Sequence, residues 1–219
     1  MQMNQTLFFL IFLLFVCSSV PFRAQDAPRE QRLSVTGGPL LETPFSGFYH
    51  SGVDGGQSRM RAGCTVGGFL DLGITPAFSV QGELLVHYKH SLFEWGGQPG
   101  DYRYWGMEIP LYVCWHRPQR RGGLWNLGAG PYTEFGLDAT FRHGGRKADL
   151  YEKDQASGLP ILRDSNTGLA LRVGYEFACG LQVNFAYKVS LTNLLDANSN
   201  TVEMHPHTLS MGLGYRFGK

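Results

Sequence analysis

Apolar and polar residues alternate with a period of two along most of the chain from Arg59 onward. The clearest stretch runs from Leu181 to Thr192, where the odd-numbered residues are apolar and the even-numbered ones are polar or small. A β-strand places successive side chains on opposite faces, so this period predicts a strand with one apolar and one polar face. An α-helix is excluded for this stretch because its apolar positions recur at a longer spacing.

Seven segments show this alternation, and an eighth, upstream segment is needed because bacterial outer-membrane barrels have an even number of strands. Most are longer than the five or six residues typical of soluble sheets, and such lengths suit a tilted crossing of a membrane. The sequence therefore predicts an all-β fold, an eight-stranded antiparallel up-and-down transmembrane β-barrel. The predicted strands are Leu40–Tyr49, Met60–Ile74, Phe78–Tyr88, Arg103–Trp115, Trp125–Asp138, Leu169–Phe177, Leu181–Thr192 and Leu209–Phe217.

The connections between these strands alternate between short and long. In such barrels the periplasmic turns are short and the extracellular loops are long, so the order places both termini in the periplasm. The short turns are Thr75–Ala77, His116–Gly122 and Ala178–Gly180, and the long loops are Ser51–Ser58, Ser91–Gly100, Arg142–Ser165 and Leu195–Met204.

Aromatic residues lie near the predicted strand ends, where they would form a girdle at the membrane interface; the alternative is that they pack a soluble core. They are Tyr88, Trp105, Trp115, Trp125, Tyr175 and Tyr215.

Composition agrees with a strand-rich protein with an apolar outer surface. The 219 residues include 43% apolar, 17% charged and 13% aromatic residues and 29 glycines. The formal net charge is only +1, so nothing indicates a surface for nucleic acid.

The N-terminal region has the pattern of a secretory leader. Leu7–Val16 is an unbroken apolar run that is too short to span a bilayer. We expect a cleaved signal peptide at residues 1–24, a periplasmic segment at 25–39 and the barrel at 40–219. Cys17 raises the alternative of a lipoprotein, but the residue before it, Val16, is not small.

Cleavage would leave Cys64, Cys114 and Cys179, which are an odd number and widely spaced. They form neither a disulfide framework nor a metal-binding CxxC pattern, so we interpret them as single packing residues.

Charged residues on the polar face of the strands are predicted to fill the barrel interior, which eight strands leave just wide enough for side chains. Buried charges need partners, so a network of salt bridges is expected, with an ion pathway or a small ligand pocket as alternatives. Asp71 and Lys89 also lie at positions that match the polar face of the strands. The predicted lumenal network consists of Arg61, Glu83, Glu108, Glu134, Asp138, Arg172, Glu176, Lys188 and Arg216.

Histidines offer two weak alternatives. His87, His90 and Ser91 form a cluster near a strand end, but residues three apart in a strand face opposite sides. His205 and His207 share a face and could contact a metal, but Pro206 separates them and no acidic pair is nearby. No GxSxG, HExxH or P-loop pattern occurs, so no catalytic residue, metal or cofactor is predicted.

The loop from Arg142 to Ser165 mixes acidic and basic residues. It is either a solvated loop or a binding surface for an envelope protein, an extracellular molecule or lipopolysaccharide phosphates. The other expected partners are outer-membrane lipid and the machinery that inserts barrels.

A series of short motifs along the strands carries a family resemblance. The residues are Ala62, Gly63 and Gly67 to Phe69, Leu84 in GELLVHYKH, Glu108 to Pro110 in MEIPLYV, Gly128 to Tyr132 in GAGPY, Gly174 and Tyr175 in RVGYEF, and Gly212 to Phe217 in GLGYRF. In these motifs the sequence resembles the PorT-like outer-membrane β-barrel family of Gram-negative bacteria. That resemblance implies a non-enzymatic barrel with a possible role in envelope assembly or a secretion apparatus. Solute transport and lipid modification are the alternatives.

Overall fold

The computed structural model describes residues 33–51, 57–95, 98–120, 122–143, 146–152, 162–195 and 203–217. The predicted signal peptide, the lipoprotein alternative at Cys17 and residues 25–32 lie outside these ranges. Among the described residues, no helix is long and apolar enough to cross a membrane.

Ten strands make up the described fold, and all their pairings are antiparallel. They are β1 (Ser34–Ser51), β2 (Gln57–Ala62), β3 (Cys64–Thr75), β4 (Phe78–Trp95), β5 (Gln98–Pro118), β6 (Leu124–His143), β7 (Arg146–Asp149), β8 (Ser165–Glu176), β9 (Leu181–Ser190) and β10 (Glu203–Tyr215).

The sheet closes on itself. β1 pairs with β10 from Leu40↔Gly214 to Ser51↔Glu203 and with β3 on its other side. β2 and β3 are two halves of one barrel strand interrupted at Gly63, and β7 is a short addition to β6. The remaining strands follow in chain order, so the prediction of an eight-stranded antiparallel barrel is confirmed.

The barrel is polar inside and apolar outside. In β8 and β9 buried residues alternate with more exposed ones, as a period of two requires. Large apolar side chains remain exposed on the outer surface, including Leu70 at 68% and Leu171 at 60%, whereas Glu83 and Arg172 are buried. A soluble protein has the opposite arrangement, with apolar side chains inside and charged ones outside. The outer surface of this barrel is therefore suited to the hydrocarbon of a membrane.

Aromatic pairs mark the two edges of the apolar outer belt. The Tyr88 and Trp105 rings lie 5.1 Å apart at one edge, and the Trp125 and Tyr175 rings lie 5.0 Å apart at the other. Ten residues separate Trp105 from Trp115 along β5, which corresponds to a belt about 25 Å tall for a strand tilted by about 40°.

Three short turns lie at one end of the barrel, which we call the short-turn end. In the first, the Thr75 hydroxyl accepts hydrogen bonds from the backbone N–H groups of Ala77 (3.3 Å) and Phe78 (3.0 Å). In the other two, Gly122 and Gly180 adopt positive φ angles of 80° and 88°, which favour glycine. The opposite end, which we call the loop end, carries the remaining connections.

Several predicted strand boundaries were wrong, because β1, β4, β5, β6 and β10 all extend beyond their predicted limits. β1 begins at Ser34 rather than Leu40, because its first residues pair with β3 through Ser34↔Gly73. The predicted loop Ser91–Gly100 is mostly a hairpin, in which β4 and β5 remain paired out to Trp95↔Gln98. The sequence did not reveal this extension because outward-facing residues beyond the belt need not be apolar. Apolar and polar residues therefore alternate less clearly there.

We predict that a charge in the middle of the belt costs far more than one at its edge. Ile109→Arg, near the middle of β5, should reduce the free energy of unfolding by ~2–4 kcal/mol, and Leu181→Arg, at the start of β9, by ~0–1 kcal/mol. Urea unfolding from phospholipid vesicles, followed by tryptophan fluorescence, measures both. Equal losses would contradict the placement of the belt.

Candidate functional site

Charged side chains fill the barrel interior at three levels between the short-turn end and the loop end. We name them the lower cluster, the middle pair and the upper cluster. The structure buries seven residues of the predicted network, which are Glu83, Glu108, Glu134, Arg172, Glu176, Lys188 and Arg216.

The lower cluster, next to the short turns, is organised by Arg216. Its Nε donates a hydrogen bond to Glu176 Oε2 (2.7 Å), and its Nη1 donates to Asp71 Oδ2 (2.5 Å). Gln182 also donates to Glu176 Oε2 at 2.9 Å. The guanidinium group lies over the Phe69 ring at 5.3 Å. One cation, on the residue that follows β10, therefore connects the end of that strand to carboxylates of β3 and β8 across the lumen.

The middle pair joins Arg172 of β8 to Glu83 of β4 in direct contact. Gln81 donates a hydrogen bond to Glu83 Oε1 (2.8 Å), and the Arg172 guanidinium lies 5.9 Å from the centre of the Tyr112 ring. Both charged side chains are about 1% exposed. The pair therefore blocks the interior at this level with groups that are almost fully shielded from water.

The upper cluster contains two carboxylates and two lysines. Lys89 Nζ donates to Glu134 Oε1 (2.6 Å) and lies 3.8 Å from Glu108 Oε2. Lys188 Nζ contacts Glu108 Oε1 directly, and His87 Nε2 lies 2.8 Å from Glu134 Oε1. The opposite charges are equal in number, so the cluster can be neutral with an uncharged His87.

Ligand atoms of His87, Glu108 and Glu134 lie within 4.8 Å of one another, which is close enough to hold a metal ion. However, Lys89 and Lys188 already bind the two carboxylates. A cation entering the site would have to displace both ammonium groups in a buried space. The geometry therefore favours a salt-bridge network over a metal centre.

An apolar cluster, which we call the lid, covers the loop end of the lumen. Its buried residues come from β5, β6, β10 and the loops. The Phe48 and Tyr102 rings pack edge to face at 5.3 Å. The buried members of the lid are Tyr102, Tyr104, Ala139, Leu162, Leu194 and Met204.

Backbone hydrogen bonds attach the loops to this lid. Leu150 N–H donates to Ala139 O (2.9 Å), Leu162 N–H to Leu150 O (3.0 Å) and Leu194 N–H to Met204 O (3.0 Å). Tyr151 packs against the lid, and burial raises the pKa of its hydroxyl above the ordinary value. The loop segments beside the lid are thus ordered by the barrel.

A small pocket of about 30 Å³ lies at the loop end of the lumen and is lined by residues that include Lys89, Ser91, Glu134 and Leu162. The buried Ser91 hydroxyl has no hydrogen-bond partner among the described residues. This volume suits one or two water molecules.

Asp138 of the predicted network is exposed and faces outward, so its placement inside the lumen was wrong. Arg61 is exposed as well, but it pairs with Ser46, whose buried side chain faces the lumen, so this register does not turn Arg61 outward. Near Arg61, the pairing with β4 shifts by one residue between Met60↔Ser91 and Cys64↔Tyr88. Near Asp138, the pairing shifts between Trp105↔Asp138 and Gly106↔Gly136. An extra residue reverses strand parity, so the second shift turns Asp138 outward.

Sequence reasoning missed several interior residues. Glu42 of β1 is buried and accepts a hydrogen bond from Ser210 (3.1 Å), and Asn166 donates to Glu134 Oε2 (3.3 Å). The parity of Glu42 could have identified it, but Pro44 and the glycines blurred the pattern of β1. Asn166 gave no signal because it lies beyond the predicted start of its strand.

The structure does not bring the candidate catalytic histidines together on the lipid face, as catalysis there would require. His87 and Ser91 are buried inside the barrel, whereas His90 contacts Asp101 on the outer surface. His205 and His207 do share a face, but His207 stacks on Tyr49 at 4.0 Å and His205 lies 3.8 Å from Glu203.

We predict that the middle pair is stabilising only as a pair. Arg172→Met leaves Glu83 buried without its cation and should lower the free energy of unfolding by ~3–5 kcal/mol. The double variant Glu83→Met, Arg172→Met should lose much less. Urea unfolding measures both, with the exposed Arg117→Met as a control expected within ~0.5 kcal/mol. Equal losses in the single and double variants would contradict the pairing.

Several solved structures are similar to this chain. They include the attachment invasion locus protein Ail of Yersinia pestis, with 16% identity and a TM-score of 0.44, covering 83% of this chain and 98% of Ail. Neisserial surface protein A has 14% identity and a TM-score of 0.45, covering 83% and 97%. OprG from Pseudomonas aeruginosa has 12% identity and a TM-score of 0.49, covering 83% and 97%. Among curated proteins, none matches the chain in sequence.

A family assignment comes from the sequence itself. Residues 23–196 match the family described as the outer membrane protein beta-barrel domain. The match takes in seven of the eight barrel strands and most of the charged interior described above. The protein therefore belongs to the outer membrane protein beta-barrel domain family and is a protein of the outer membrane.

Proposed function

We propose that the protein is a non-enzymatic, non-conducting barrel that anchors a set of hairpins and loops at the cell surface. The observation that carries this proposal is the closed interior, in which the lid covers three levels of paired charges. An ion crossing the lumen would have to break buried salt bridges, and each broken pair leaves an uncompensated charge. The barrel thus serves as a rigid membrane anchor.

The proposed orientation places both termini in the periplasm and the loop end outside the cell. It is supported by the short-turn end, where β3 and β4 are joined by two residues, because periplasmic turns of such barrels are short. It is also supported by the opposite end, where β4 and β5 extend well past Trp105. These strands would carry a rigid hairpin into the extracellular space.

Lipid modification is less well supported than anchoring. That activity would require His87 and Ser91 to converge on the lipid face, and both side chains are buried in the lumen. The resemblance to the PorT-like family stays a prediction. The role in envelope assembly or a secretion apparatus that it implies would be the process that the anchored loops serve.

The closed lumen predicts that the refolded protein inserts without conducting. Planar-bilayer recordings of the barrel should show no stepwise currents, while a heat-modifiability gel confirms that the barrel has formed. The lid variant Tyr102→Ala, Leu162→Ala should also remain silent, because the charged levels beneath it persist. Steady stepwise conductance of the unaltered protein would overturn the proposal in favour of transport.

The loop between β7 and β8 predicts a partner-binding role that is separable from the lid. Replacing residues 153–161 with a glycine–serine segment of the same length keeps Leu150, Tyr151 and Leu162 in place. Binding of an envelope or extracellular protein identified by crosslinking to the unaltered barrel should be lost, while heat modifiability stays unchanged. Retained binding would exclude this segment as the binding surface.

A further inference from the structure

The outer surface of the loop end carries a cross-strand line of residues, which we call the rim row. Its pairings are Arg59↔Leu92 and Leu92↔Asp101, followed by Asp101↔Arg142 and Arg142↔Lys147. Directly paired residues share one face of a sheet, so these five side chains lie side by side. The face is the outer one, because Trp105 on the same side of β5 is exposed at the edge of the belt.

The charges of the rim row are not balanced within the row. Asp101 is held by Arg103, whose Nε and Nη2 lie 3.0 and 2.9 Å from Asp101 Oδ2, and by His90. The side chains of Arg59, Arg142 and Lys147 are exposed. Within the described part of the chain, none of these three makes an ion pair. The row therefore presents three cations whose charge is free to meet an external anion.

The rim row lies just above the height of lipid headgroups. Asp101 lies four residues beyond Trp105, which is about 10 Å above the edge of the belt for a tilted strand. Headgroup regions extend several ångströms beyond the hydrocarbon core, and arginine and lysine side chains are long enough to reach toward them.

Below the rim row, the outer surface of β3 and β4 is indented by a notch of about 600 Å³. Gly68 and Gly82 form its floor, and its walls include Leu70, Leu84 and Val86. The notch lies in the apolar belt, since Gly82 is between Phe78 and Tyr88 on β4. It is open to the side, so an acyl chain could lie in it.

We propose that the rim row and the notch together form a binding site for a lipid with a phosphorylated headgroup. Arg142 and Lys147 on neighbouring strands would hold one phosphate. Arg59, three strand spacings or about 14 Å from Arg142, would hold a second phosphate or a neighbouring headgroup. Arginine and lysine favour phosphate through charge-assisted hydrogen bonds. With the proposed orientation, on which this inference rests, the lipid is a phosphorylated glycolipid of the outer leaflet.

The test measures lipid binding to the full refolded chain in neutral detergent micelles by native mass spectrometry. The probes are bisphosphorylated lipid A, its dephosphorylated form and inorganic phosphate as a competitor. Arg142→Gln, Lys147→Gln should weaken lipid A binding about tenfold. The matched control Arg117→Gln, Arg120→Gln removes two exposed charges at the short-turn end and should leave binding within about twofold.

A second variant tests the notch. A Cβ at Gly82 would meet only Leu111 Cδ1 at 3.8 Å, so Gly82→Ile should fold and fill the space. It should weaken lipid A binding. Arg59→Gln tests the rim row from another strand, and a heat-modifiability gel verifies folding of every variant.

Three outcomes would overturn the proposal. The first is an equal loss of lipid A binding in Arg142→Gln, Lys147→Gln and in the control Arg117→Gln, Arg120→Gln. The second is equally tight binding of dephosphorylated lipid A. The third is full competition by inorganic phosphate together with no effect of Gly82→Ile on binding, which would indicate an anion site alone. Binding in micelles depends neither on membrane orientation nor on conductance. Failure here is therefore distinguishable from failure of the proposed function.

Discussion

The structure depends on one constraint, which is that hydrocarbon offers no hydrogen-bond partners to a polypeptide. Every backbone amide in the belt must pair within the protein, and an open sheet would leave two edges unsatisfied. The long antiparallel pairing of β1 with β10 removes both edges. The same constraint divides the side chains, because apolar residues can face lipid while charged ones must turn inward. Closure and the reversed polarity of the barrel are thus consequences of a single requirement.

Charged side chains that turn inward lose their contact with water, and in the lumen they are paired with groups of opposite charge. Arg216 binds two carboxylates, Arg172 binds Glu83, and Lys89 and Lys188 bind Glu108 and Glu134. Such groups are costly to bury singly, so the interior is filled with matched partners from opposite strands. With the lumen occupied in this way, the surfaces left for interaction are the loop end and the outer face.

Irregular pairing decides which residues reach the outside at the loop end. The shift between Trp105 and Gly106 turns Asp138 outward and sets the parity of the residues beyond it, including Arg142. The shift beside Gly63 similarly falls between the belt and Arg59. Bulges of this kind redirect side chains at barrel rims. The rim row exists because these irregularities bring cations of separate strands onto one face.

The alternation of apolar and polar residues by itself determined seven of the eight barrel strands within the belt, and the even strand count of such barrels supplied the eighth. It did so because lipid on one side and a packed interior on the other impose strict parity within the belt, as in β8 and β9. The same parity identified nine of the interior charges, which are seven residues of the predicted network together with Asp71 and Lys89. Beyond the belt both faces of a strand meet water or loops, so apolar and polar residues need not alternate there. The extended β4–β5 hairpin and the lid were therefore visible only in the tertiary structure. The partners of each charge and the outward position of Asp138 likewise depended on register and bulges. These are fixed by pairing between distant strands rather than by any local pattern.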